Sequence, residues 1–216
     1  MAQPASGGRT TSVPAGKPAS RRELRAQGER TMANLFDAGM RVFAERGYHA
    51  ARVDDIVRAA RTSHGTFYLY FANKEDLLRA LAVECAEEMR RLAEDLPPIT
   101  GDDNGREALR AFLARFIDTY RRYGPVVRAW MEGQVTDAKV NRLGVKSFTA
   151  IGNALGERML ENDPTIGESA AVGAFMGLLE RLSYFLASRT PQFDDDTLLD
   201  TLAAVAHRGF FTPVRC

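Results

Sequence analysis

From Glu29 to Phe210 the apolar residues of this chain recur three and four positions apart, the period of one face of an α-helix. No run of five or more residues alternates apolar with polar, and no internal repeat is present. The pattern predicts an all-α fold of about nine helices. Met32, Leu35, Phe36, Gly39, Met40 and Phe43 share one face, and Gly47 is expected to stop that helix. Val53, Ile56, Val57 and Ala60 mark a second, short helix. Ser63 is a good N-cap for a third, Ser63 to Phe71, with Phe67 and Phe71 one turn apart. Asn73 caps a fourth, whose first-turn Glu75 and Asp76 suit the helix dipole, and Pro97-Pro98 ends it.

After a loop over Gly101–Gly105, the next helix runs through Leu109, Phe112, Phe116 and Tyr120. Gly124-Pro125 is expected to stop it and start another, carrying Trp130 and Met131. A helix from Val140 to Met159 follows. Asp163-Pro164 then reads as a cap plus first-turn proline for a long helix through Val172, Phe175 and Phe185, and Asp194–Asp196 starts the last. Residues 1–20 are mostly small and polar, too poor in apolar groups to offset ordering entropy. With the basic lead-in of Arg21, Arg22 and Arg25 they read as a disordered basic tail over 1–28.

Composition narrows the function. At 45% hydrophobic and 26% charged, the 216 residues suit a soluble globular protein with one core or two. There is no membrane-length apolar run and no secretory signal. Two cysteines make no disulfide framework, so a cytoplasmic setting is expected. Cys85 reads as an inert core thiol on an apolar helix face. His49, His64 and His207 are too scattered for a metal site, and no cofactor is expected. No nucleophile elbow or phosphate loop is present, so the chain is read as a non-enzyme. Charge is uneven: residues 1–80 hold 13 Lys/Arg against 8 Asp/Glu, and residues 81–216 hold 16 against 20. A basic front on an acidic body suits a DNA-reading head.

The informative block is Phe43 to Leu78. The tight link Arg61-Thr62-Ser63 joins the second helix to the third, a helix-turn-helix arrangement in which the third helix enters the major groove. That helix surrounds two apolar anchors with His64, Gly65, Thr66, Tyr68 and Tyr70, which a buried helix rarely carries. Gly65 in its first turn costs ~0.5–1 kcal/mol relative to Ala, and close approach of another backbone explains that cost.

These residues resemble the TetR/AcrR family of bacterial transcriptional regulators. The likeness covers residues 29–80 and rests on Gly47-Tyr48, Val53 to Ile56, and the run from Ser63-His64-Gly65-Thr66-Phe67-Tyr68 through Lys74-Glu75-Asp76-Leu77. The resemblance implies phosphate contacts by Tyr68, Tyr70 and Lys74, and a backbone or base contact by Thr66. It places Thr62, His64 and Leu69 at variable positions that set base choice. Ser63 and Gly65 complete the DNA-binding set. Two residues depart from the family pattern. Arg61 stands where glycine is usual, and a Cβ in a left-handed turn costs ~1–2 kcal/mol, so the turn is expected to take another shape. Arg52 replaces a capping Thr or Ser and is expected to serve as a phosphate contact instead.

The resemblance further implies that residues 81–216 bind an effector and dimerise. The expected lining is Phe116, Tyr120, Trp130, Met131, Phe148 and Phe175, within an aromatic-rich set that also includes Tyr184. Small residues Gly173, Ala174 and Gly177 suit close helix approach, so residues 165–188 and 194–211 are expected to pair across a two-fold axis. The reading is a homodimeric repressor on double-stranded DNA, released from a palindromic operator by a small apolar or amphipathic ligand, with no membrane partner. An activator, a ligand-promoted co-repressor, and a helical small-molecule or lipid carrier without DNA binding stay open.

Overall fold

The computed structural model describes residues 21–188 and 194–213, with the side chains of residues 21–24, 183–188 and 195 excepted. Every regular element among them is an α-helix: α1 (Arg21–Ala50), α2 (Val53–Ala59), α3 (His64–Tyr70), α4 (Lys74–Glu94), α5 (Asp103–Met131), α6 (Ala138–Asn162), α7 (Glu168–Ser188) and α8 (Asp195–Phe210). Helix α1 already begins at Arg21, so residues 21–28 are not the tail expected there, whereas residues 1–20 lie outside the described residues.

Most boundaries follow local chemistry. Ser63 caps α3, Asn73 caps α4, Asp102 caps α5 and Asp194 caps α8, each accepting a backbone N–H three residues on. Gly47 breaks the helical geometry near the end of α1 with φ 73° and ψ 157°, a conformation that glycine adopts without a Cβ penalty. Three further expected boundaries are wrong. Helix α5 begins at Asp103, inside the loop expected over Gly101–Gly105, because Asp102 caps it there. Pro125 sits inside α5, giving eight helices among the described residues instead of nine. The residue before it is Gly124, which lacks the Cβ that normally clashes with a proline ring. Buried Tyr123, Val126 and Val127 hold both sides of the junction in one packed face. Asp163 does not cap α7. Its carboxylate is spent on the N–H and hydroxyl of Thr165 in a turn, and α7 starts at Glu168.

One apolar core runs from Leu35 to Phe211. Helix α4 threads it, with Leu77 against Gly39 of α1, Leu81 beside Met32 and Phe36 of α1, and Cys85 and Met89 facing α5 and α6. The end of α4 is held by α6: Arg158 donates to the carbonyls of Leu96 and Pro97, and Asn162 donates to that of Ile99. Arg110 ties α5 to Asp196 and Asp200 of α8. The result is an N-terminal helix-turn-helix unit joined by α4 to a larger helical body.

Candidate nucleic-acid interface

The turn between α2 and α3 decides how α3 is presented. The Thr62 N–H donates to the Val57 carbonyl at 3.0 Å, and the Arg61 N–H to the Arg58 carbonyl at 3.2 Å. This pair of bonds closes a Schellman C-cap, whose C′ residue is left-handed. That residue is Arg61, at φ 51°. The expectation of a differently shaped turn is therefore incorrect: the left-handed turn is kept, and arginine carries the strain. Side chains of α1 secure the same helix end, Asn34 donating to the Ala60 carbonyl at 2.7 Å and Arg41 to that of Ala59 at 3.1 Å. At the other end of α2, Arg52 occupies the N-cap position and is exposed. Asp55 accepts the Arg52 N–H at 3.3 Å, the reciprocal half of a capping box, and the Asp55 N–H that a cap hydroxyl would bind turns to the Arg52 carbonyl at 3.1 Å.

Helix α3 is anchored by Phe67, fully buried and 5.7 Å from the Phe71 ring. Around that anchor its polar residues separate into internal and outward roles. The Ser63 hydroxyl accepts the Thr66 N–H and lies 3.0 Å from the Thr66 hydroxyl, so both serve the cap. Tyr68 is 55% exposed and Leu69 82% exposed, while Tyr70 is half-buried with its hydroxyl against Gly28 of α1. A Cβ at the exposed Gly65 would meet only the Ser63 hydroxyl, at 3.6 Å. Apart from its chain neighbours and its own helix backbone, nothing else among the described residues crowds that position. Exposed His64 places Nε2 2.6 Å from the Asp54 carboxylate of α2. The carboxylate only accepts, so Nε2 donates in this bond. Thr62 is half-buried beside it.

Lys74 has an internal role that its sequence position does not disclose. Its ammonium donates to the carbonyls of Tyr48, His49 and Ala51 at 3.0, 3.1 and 3.1 Å, and lies 4.7 Å from the Tyr48 ring centre. All three N–H donors are thus spent on the end of α1, locking α4 to α1. Beside it, burial and the Glu75 carboxylate push the Tyr48 phenol up to about 12.

A solvent-facing α3 on a buried aromatic anchor, reached by a Schellman turn from α2, is a helix-turn-helix unit. Residues 35–81 match the family of bacterial regulatory proteins, tetR family. Residues 35–81 are thus similar to the N-terminal domain of that family. Over 63 residues, 29% of this chain and 32% of the relative, the chain is 43% identical to the fatty acid metabolism regulator protein of Bacillus subtilis. Over 84 residues it is 36% identical to YvdT, an uncharacterized HTH-type transcriptional regulator of the same organism, covering 39% of this chain and 40% of that one. The chain thus spans less than half the length of these curated relatives. At the level of fold, the likeness extends much further. A tetR-family regulatory protein from Rhodococcus superposes with a TM-score of 0.67 at 17% identity, covering 85% of this chain and 98% of that one. FadR from Bacillus subtilis, solved with stearoyl-CoA, superposes at 0.59 and 19% identity, covering 85% and 99%.

The body of this tetR-type fold holds an apolar cavity of about 380 Å³ between α4, α5, α6 and α7. Tyr120, Trp130, Met131 and Phe148 line it as expected from the sequence. Phe116 and Phe175 do not. Phe116 is buried between Phe112 and Tyr120, and Phe175 packs edge-on against Phe210 and Phe211. The sequence reading missed Cys85, Ala86, Met89, Val127, Gly144, Val145, Ser147 and Thr149, and the carboxylate-bearing Glu180 of α7, which complete the wall. Gly144 is needed there, because a Cβ would fall 2.1 Å from the Trp130 ring. Burial pushes the Cys85 thiol up to about 12, with Glu84 and Glu88 adding to it. Tyr184, also named from sequence, lies outside the described side chains.

Proposed function

We propose that this chain is a homodimeric, sequence-specific transcriptional regulator, acting as a repressor released from a palindromic operator by a small apolar or amphipathic ligand. The observation that carries this reading is the outward face of α3: His64, Gly65, Tyr68 and Leu69 are exposed around a fully buried Phe67. We assign residues 29–80 to DNA reading and residues 81–216 to ligand binding and dimerisation. Tyr68 and Arg52 hold phosphates, while His64 and Leu69 meet base edges, Leu69 through apolar contact of the kind a thymine methyl offers. Tyr70 and Lys74 act chiefly by positioning these groups.

Exposed Gly173, Ala174 and Gly177 on α7 and 62% exposed Val205 on α8 support pairing of two copies through these helices. The apolar cavity around Trp130 supports an apolar effector. The acyl ligand of the Bacillus subtilis FadR structure makes a fatty-acyl compound the first candidate. A ligand preferring a splayed dimer drains the DNA-competent state in proportion to its differential affinity. No helix of the described residues is long and apolar enough to cross a membrane, and a regulator of this kind works in the cytoplasm.

Selection of bound duplexes from a random pool tests the reading. A palindromic consensus bound by a dimer in light scattering is expected. No enrichment over the pool overturns DNA reading and leaves a helical carrier, whereas a tight complex with a monomer overturns the assembly.

A further inference from the structure

Asp54 is an unexpected residue to find beside a helix that faces DNA. It lies in the first turn of α2, where the helix dipole suits an acid, but the dipole does not explain its reach to α3. Its neighbour Asp55 is engaged within and behind α2, accepting the Arg52 N–H and facing Arg46 and Arg58 at 3.4 and 3.5 Å. The Asp54 side chain is 64% exposed and has one partner among the described residues, the His64 ring, whose Nε2 lies 2.6 Å from its carboxylate. A lone carboxylate on this face is repelled by the phosphates of a duplex.

Of the charged groups on α1, α2 and α4, Asp54 alone contacts the His64 ring among the described residues. Arg41 of α1 donates to the Ala59 carbonyl, and Lys74 of α4 is held by the end of α1. Arg58 turns to Asp55, while Arg52 and Arg61 are exposed and neither touches the ring. Because Nε2 is given to Asp54, Nδ1 is the ring nitrogen that a duplex can engage, and it has no partner among the described residues. The charge of the ring decides what Nδ1 does: it accepts when the ring is neutral and donates in the imidazolium. With a neutral ring the pair is net negative, and with the imidazolium it is net neutral. A duplex brings phosphates close to the pair and so favours the second state. Gly65 beside it is exposed and leaves room for that approach.

We propose that Asp54 is the positioning residue that sets what His64 reads. In the DNA complex it holds the ring through Nε2 as the imidazolium, and Nδ1–H donates to the N7 or O6 acceptor of a guanine in the major groove. Each subunit takes one proton from solvent onto Nδ1 as the duplex binds, and no covalent bond changes. Asp54 itself touches no base. The inference rests on the DNA-reading role proposed for α3.

The test is fluorescence anisotropy of the full chain on the duplex selected from a random pool, at constant ionic strength from pH 6 to 8, where histidine changes charge. Asp54→Asn keeps a side-chain carbonyl that can accept from Nε2 and removes only the charge, while His64→Ala removes the reader. Both side chains are more than half exposed, so neither change reaches the core. The parent is expected to lose about tenfold or more in affinity from pH 6 to 8, and Asp54→Asn and His64→Ala less than about threefold. His49→Gln, at the exposed end of α1, is expected to keep the parent profile. At pH 6 each guanine–cytosine pair of the half-site is also inverted in turn, which puts the cytosine amino donor where the guanine acceptors stood. One inversion is expected to cost the parent about fivefold or more, and the two variants at most about twofold. Equal pH dependence in the parent and either variant overturns the inference and leaves DNA reading intact, as does a pH dependence lost in His49→Gln. So does the lack of any inversion that separates the parent from His64→Ala. If the pool yields no bound duplex, DNA reading falls and this inference with it.

Discussion

Replacing Arg61 by glycine should stabilise this protein. Arg61 sits at φ 51° as the C′ residue of the Schellman turn closed by Arg61 N–H to Arg58 and Thr62 N–H to Val57. A side chain in that region costs ~1–2 kcal/mol, which glycine does not incur. Glycine gives back part of the gain by loosening the unfolded chain, by ~0.4–1 kcal/mol. Because none of the hydrogen bonds that close this turn uses the Arg61 side chain, Arg61→Gly loses none of them. The net expectation is a gain of ~0.5–1 kcal/mol, or roughly 1–4 °C in melting temperature for a chain of this size. Arg61→Ala keeps a Cβ in the same conformation and should stay within ~0.5 kcal/mol of the parent. Guanidinium denaturation of the three proteins, with equal m-values, gives the comparison. Should Arg61→Gly be no more stable than Arg61→Ala, the turn is not strained by its side chain, and the reasoning fails.

Lys74→Ala should destabilise the protein by ~1–3 kcal/mol, because three carbonyls at the end of α1 lose a charged donor. In duplex binding it should change the salt slope by clearly less than the one unit expected of a phosphate contact; a full unit shows that the ammonium leaves α1 for DNA. Gly144→Ala should cost ~1–3 kcal/mol and shift Trp130 emission, since the new Cβ falls 2.1 Å from the indole. An unchanged spectrum with unchanged stability means that Trp130 does not rest on Gly144. The pH dependence at alkaline pH includes contributions from Tyr48 and Cys85, both raised to about 12 in the folded state from ordinary values of 10.0 and 9.0, and from Tyr123, which burial raises further. Stability from these groups is complete below their unfolded values and is lost as pH rises toward about 12, at no more than ~1.4 kcal/mol per pH unit for each group. Denaturation at pH 8 to 12 should show this fall, and Tyr48→Phe should flatten its upper part; an identical profile in that variant removes Tyr48 from the account.

What could be read from the sequence alone was whatever depends on neighbours three or four residues away. The helical period, the caps at Ser63, Asn73 and Asp194, the break at Gly47 and the buried anchor Phe67 are all of this kind. The motif from Ser63 to Leu77 pointed to DNA reading for the same reason, since its spacing is local. Tertiary structure decided the rest. Pro125 stays inside α5 because a packed face spans it, and Arg61 keeps a left-handed turn because α2 and α3 must meet there. Lys74 finds its carbonyl partners 23 to 26 residues away. Phe116 and Tyr120 stand one turn apart on the same helix, yet only Tyr120 borders the cavity. An amphipathic pattern shows which face of a helix turns inward. Whether that face meets another side chain, a carbonyl or an open cavity depends on where distant helices come to lie, and those placements minimise the free energy of the whole packed core instead of any one segment.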